Sequence, residues 1–190
     1  MQKCYIDTET TGLKSEYHEI IEIAIICEDE TGRITESFYS KVRPQFIERS
    51  NPRALEINGY DAKKWKDAPS FEEIAPQIRR LVADCVWIGH NPKFDYEFVQ
   101  EALFRCGHVP VRCRLIDTTV LVYEHLLPLG CDGLSMDSAR AFLGLDTSRA
   151  HTAAFDAKQV RQLYKILAGA SWFKKLYWRW RAKKRGLCKW

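Results

Sequence analysis

Between Ile20 and Cys27 seven of eight residues are apolar, and five of them are isoleucine. β-branched side chains favour a pleated strand, and an unbroken apolar run points to one that is well buried. Glu22 interrupts the run. It is expected at a solvated or edge position, with a role beside a cation as the alternative. Cys4-Tyr5-Ile6 reads as the end of an earlier strand. Arg33 to Val42 alternates as a later one, after a turn at Thr31-Gly32. Short loops between three such strands predict an antiparallel meander.

Downstream the pattern changes. Pro44 to Pro52 reads as loop, and Arg53 to Ile57 as one helical turn closed by Asn58-Gly59. Ser70 with Glu73 forms a capping box ahead of the stripe Phe71, Ile74, Ile78, Leu81 and Val82. Short apolar runs at Cys85 to Gly89 and Leu115-Ile116 alternate with helical stretches. Those run from Pro92 to Cys106, Asp117 to Leu127, Ser135 to Phe142 and Thr152 to Leu167. Strands separated by helices tend to pair in parallel. The reading is α/β: a mixed five-stranded sheet flanked by helices.

Asp7-Thr8-Glu9-Thr10-Thr11-Gly12-Leu13 follows the first strand. Side chains two apart on a strand share a face, so Asp7 and Glu9 stand together. Adjacent carboxylates repel unless a cation neutralises them, and oxygen ligands suit Mg²⁺ or Mn²⁺. Taken alone, the stretch also reads as a polar turn. Two more acids fall in first helical turns: Asp95 in His90-Asn91-Pro92-Lys93-Phe94-Asp95, and Asp156 in His151-Thr152-Ala153-Ala154-Phe155-Asp156. Acids favour that position for dipole reasons alone. Asp117 reads as a helix cap.

Together, Asp7, Glu9, Asp95, His151 and Asp156 resemble the pattern of the DEDDh exonucleases, the DnaQ-like group of the ribonuclease H-like fold. The likeness spans residues 2 to about 168. Asn58 departs from it, since many relatives carry His there. The resemblance implies a 3′–5′ exonuclease releasing nucleoside 5′-monophosphates with two Mg²⁺ (or Mn²⁺). Asp7 would bridge the ions, Glu9 and Asp156 would hold one, and Asp95 would act on the other through water. His151 would be the general base. By analogy, Thr10, Thr11, Gly12 and Leu13 would line the pocket for the terminal nucleotide. His90 and Asn91 would flank it, His90 as a supporting residue. Leu13 would either wedge against the last bases or be buried beneath its loop. The implied substrate is single-stranded nucleic acid or a frayed 3′ end, DNA or RNA. The alternative is a proofreading or RNA-trimming subunit of a larger assembly; less favoured are a ribonuclease H-type endonuclease, which would share the acids but not need His151, and a non-catalytic binding module, which would lack one of the five.

The last twenty residues hold eight Lys and Arg and no acid, so a chain of net charge +4 has a body of −4 and a tail of +8. Residues 1–170 are read as the exonuclease domain and 171–190 as a basic aromatic tail. In a helix, Trp172, Phe173, Leu176, Tyr177 and Trp180 would share one face. That face could pack on the body, grip nucleic acid, dock a polymerase or other protein, or, less favoured, meet a membrane. Seven scattered cysteines without Cys-x-x-Cys spacing argue against zinc and for a reducing, cytoplasmic setting. No apolar stretch resembles a signal peptide or a membrane span.

Overall fold

The computed structural model describes residues 1–147, 152–184 and 186. Strands β1 (Lys3–Thr10), β2 (Ile20–Glu28), β3 (Ile34–Lys41), β4 (Val86–Gly89) and β5 (Arg114–Asp117) form one sheet in the order β3-β2-β1-β4-β5. The first three are antiparallel neighbours, while β4 and β5 run parallel to β1. The helices are α1 (Pro52–Ile57), α2 (Ala62–Trp65), α3 (Phe71–Val82), α4 (Pro92–Arg105), α5 (Thr118–His125), α6 (Met136–Leu143), α7 (Ala153–Ala168) and α8 (Trp172–Lys184).

Strand alternation divides the core. Cys4, Ile6, Ile23 and Ile25 face α3 and α4, packing with Ile78, Phe98 and Leu103. Tyr5, Ala24 and Ile26 face the other way, onto Ala153, Ala157 and Val160 of α7. A third cluster joins α5, α6 and α7 through Val122, Phe142 and Leu163, and Trp178 of α8 inserts into it. Burial on both faces explains why β2 reads as nearly continuous isoleucine.

The structure departs from two expectations and adds one element. β1 does not end at Ile6: it pairs with β2 through Thr10↔Ile20, with one slip in the ladder between Glu9 and Thr10. Asp7 to Thr10 is therefore strand, and only Thr11 to Leu13 bends away as loop. Residues 60–69, for which no element was expected, contain α2, capped by Asp61 and pinned by Trp65, whose indole N–H donates to the Ile21 carbonyl at 2.8 Å. On α8, Leu176, Tyr177 and Trp180 are exposed and Trp178 is the buried ring among the described side chains, so these three members of the stripe do not pack on the body. The side chains of Trp172 and Phe173 lie outside the described residues.

Candidate active site

Tyr5, Asp7 and Glu9 alternate onto the α7 face of β1. The first turn of α7 brings Asp156 to the same place. Carboxylate oxygens of Asp7, Glu9 and Asp156 lie within 4.8 Å of one another, the one such acidic group among the described residues. Asp95 approaches from the first turn of α4. Its Oδ1 accepts the Thr8 backbone N–H and the Thr8 hydroxyl, each at 2.8 Å. Thr8 lies between the two strand acids and faces away from them, so β1 positions three carboxylates with three successive residues.

Burial and mutual repulsion make this cluster reluctant to ionise. Asp7 titrates well above the usual carboxylate range, first from burial and then from Asp95, Glu9 and Asp156. Burial, with Asp156, Glu22 and Asp95 behind it, pushes Glu9 up to about 8. Burial lifts Asp95 to about 7 against the two Thr8 hydrogen bonds. Half-buried acids crowded in this way, with buried Asp95 behind them, meet the charge and donor requirements of a hard divalent cation.

Two residues outside the sequence-derived set belong here. Glu22 is not solvated: it is buried directly across from Glu9 and accepts the Ala153 N–H at 3.4 Å. Its position within an apolar run was the available signal. Arg140 of α6 is buried, with Nη2 on Asp156 Oδ1 and Nη1 on Asp137 Oδ1 at 2.9 Å. Asp137-x-x-Arg140 has the spacing of an ordinary surface pair on a helix, so sequence carried no sign of it.

The loop after β1 is tightly held. The Thr10 hydroxyl donates to the Gly12 carbonyl at 2.6 Å, and Thr11 Oγ1 accepts the Glu19 N–H at 2.9 Å. Asn58, at the position where relatives carry His, donates its amide to the Thr10 carbonyl at 2.9 Å. Leu13 is 80% exposed, so burial beneath the loop is ruled out. Both ring nitrogens of His90 are engaged, Nδ1 with Thr118 Oγ1 at 3.0 Å and Nε2 with the Leu134 carbonyl at 2.8 Å, and burial lowers its pKa. Asn91 adopts the left-handed conformation, with φ 67°, and gives its N–H to Asp117 Oδ1 at 3.0 Å. That same oxygen caps α5 through Thr119 N–H at 2.8 Å, as expected of Asp117. His151 lies outside the described residues.

The exonuclease family model, of the RNase T type, matches residues 4–164. DNA polymerase III subunit epsilon of Treponema pallidum is 30% identical over 158 residues, covering 83% of this chain and 72% of that protein. The PolC-type DNA polymerase III of Thermotoga maritima is also 30% identical, over 84% of this chain but 11% of its own length. Among solved structures, an Escherichia coli ExoI–ssDNA complex with bound zinc superposes with a TM-score of 0.78 at 18% identity, covering 93% of this chain and 42% of that one. The chain thus spans most of the epsilon subunit but under half of the other two. By the extent of the family match and by the epsilon likeness, the chain belongs to the DnaQ-like DEDDh exonuclease family of the ribonuclease H-like fold.

Proposed function

We propose that this chain is a metal-dependent 3′–5′ exonuclease acting on single-stranded DNA or a frayed 3′ end. The observation that carries the reading is the cluster of Asp7, Glu9 and Asp156 within 4.8 Å, with Asp95 tethered to the same strand. Asp7, Glu9, Asp95 and Asp156 would hold two Mg²⁺ or Mn²⁺ ions, whose Lewis acidity stabilises charge on the phosphate and the departing oxygen. His151 accepts the proton of the attacking water. Water oxygen joins phosphorus, the P–O3′ bond breaks, and a nucleoside 5′-monophosphate leaves a shortened strand with a new 3′-hydroxyl. Glu9 meets the terminal 3′-hydroxyl, and the backbone of Thr10 to Gly12 shapes the pocket. Exposed Leu13 packs against the last base. His90 and Asn91 act as supports for the start of α4 rather than as substrate contacts.

Residues 1–170 form the catalytic domain in this reading, and 171–190 an appended basic element. The epsilon and PolC likenesses favour DNA over RNA, a polymerase as protein partner and a cytoplasmic setting. Digestion of 5′-labelled single-stranded and circular DNA with Mg²⁺ or EDTA tests the reading. Linear strands should shorten stepwise and circles should survive. EDTA should stop cleavage, and Asp7→Asn or His151→Ala should slow it by about 10²-fold or more. Internal cuts, or full activity in EDTA, would overturn it.

A further inference from the structure

Arg140 lies in the last turn of α6, where helix polarity suits a cation, but it is 2% exposed, and helix polarity does not call for a buried one. Its neighbours Ala139, Phe142 and Leu143 are core residues, and its own side chain passes through that layer towards the acids. The guanidinium is clamped between Asp137 on its own helix and Asp156 on α7, and lies 5.6 Å from the centroid of the Phe155 ring. Its Nε is buried without a hydrogen-bond partner among the described residues. Stripping an arginine of water costs several kcal/mol, and well-packed apolar side chains often replace buried ion pairs at no loss of stability. A purely structural origin therefore explains Arg140 poorly.

We infer that Arg140 is a positioning residue for divalent-metal binding: it fixes the Asp156 carboxylate so that the ligand set is assembled before the metal arrives. Two features favour this. Arginine presents its donors in a rigid planar fork, so one oxygen of Asp156 is oriented as well as neutralised. The fork also spans from α6 to α7, the helices flanking the segment that carries His151. Its outer branch rests on Asp137, 63% exposed, which anchors the guanidinium without touching the cluster. Partners that orient a metal-binding carboxylate commonly govern affinity by 10–100-fold.

The inference rests on the metal-dependent reading above, and the test separates the two. Mn²⁺ binding to the full chain is measured by calorimetry and electron paramagnetic resonance without substrate, together with melting temperature in EDTA. Wild type should bind Mn²⁺, and Asp7→Asn should abolish binding. Arg140→Met should stay folded, weaken Mn²⁺ binding by about tenfold or more, and raise the Mg²⁺ concentration for half-maximal cleavage in step. Arg140→Lys should recover part of the affinity. Asp137→Asn, a near-isosteric change at an exposed position, should weaken binding by a few-fold, which keeps the inference testable if Arg140→Met does not fold. Unchanged or tighter Mn²⁺ binding in Asp137→Asn and in any folded Arg140 variant overturns the role of Arg140 and leaves the exonuclease reading standing. Absence of Mn²⁺ binding by wild type overturns both.

Discussion

Thr8 holds Asp95 by two hydrogen bonds from one residue, backbone N–H and hydroxyl both 2.8 Å from the same Oδ1. The contact ties the start of α4 to the middle of β1 and sets how the fourth acid meets the other three. Thr8→Val keeps the strand propensity and shape but removes the hydroxyl donor. It should cost about 1 kcal/mol, a drop of roughly 2–4 °C in Tm for a chain of this size. It should also lower kcat at saturating Mg²⁺ by about tenfold, as loss of an orienting partner does. Unchanged cleavage with a lowered Tm would reduce the contact to a structural one.

The raised carboxylates make metal-free stability depend on pH. Glu9 titrates near its ordinary 4.5 when unfolded and at about 8 when folded. The folded state therefore binds the extra proton between those values. Its stabilising effect is complete below about 4.5 and lost as pH rises through about 8. Asp95, raised to about 7, acts in the same direction. In EDTA the Tm of wild type relative to Glu9→Gln should fall from pH 5 to pH 8.5, because Gln stays neutral throughout. Mg²⁺ at pH 8.5 should restore it, since the ion binds the folded state alone. A difference that stays flat or grows with pH would refute the assignment.

Gly12 lies against the ring of His18: a Cβ built on it would fall 2.2 Å from two ring atoms. His18 is itself held by Lys14, whose N–H donates to Nδ1 at 3.1 Å, and packs edge-on against Tyr17. Gly12→Ala must displace that ring, and should destabilise by about 1–3 kcal/mol while raising KM for oligonucleotides through the adjacent Leu13. In a His18→Ala background the same change should cost far less, which a double-mutant cycle reads directly. Additive effects would mean that the close approach does not constrain the loop.

Much of this was legible in the sequence for physical reasons. Period and capping chemistry are local, so β2, the Ser70–Glu73 box of α3 and the Asp117 cap of α5 stand where residue pattern alone places them. Asp7 and Glu9 share a face because strand alternation allows nothing else. What was not legible depends on which elements meet. Glu22 is buried because α7 covers β2, and Ala153 N–H reaches it from 131 residues away. Arg140 looks like half of a surface pair until α7 lays Asp156 beside it. Trp178 rather than Trp180 is buried because it meets the cluster of α5, α6 and α7, a long-range contact that periodicity does not encode.

The exposed face of α8 provides the last prediction. Tyr177 and Trp180 stack with centroids 6.2 Å apart, Lys184 Nζ lies 4.3 Å from the Trp180 centroid, and Arg181 lies 5.7 Å from that of Tyr177. Rings and cations are thus mixed on one surface. A helix lying in a membrane interface segregates them to opposite sides, whereas stacking on bases beside phosphates uses both together. Nucleic acid is accordingly the favoured occupant. Trp178 anchors the helix in the core, so deleting everything after Ala170 would confound binding with lost packing. The cleaner variants are Trp180→Ala and Lys184→Glu. Both should keep the Tm and the turnover of saturating trinucleotide. Trp180→Ala should weaken binding of a long single strand by about 5–100-fold, the scale of one stacked base. Lys184→Glu should flatten the dependence of log affinity on log salt by about 0.7 if one phosphate contact is lost. Binding of anionic vesicles instead would assign the face to a lipid surface. Loss of polymerase association with oligonucleotide affinity intact would assign it to the protein partner.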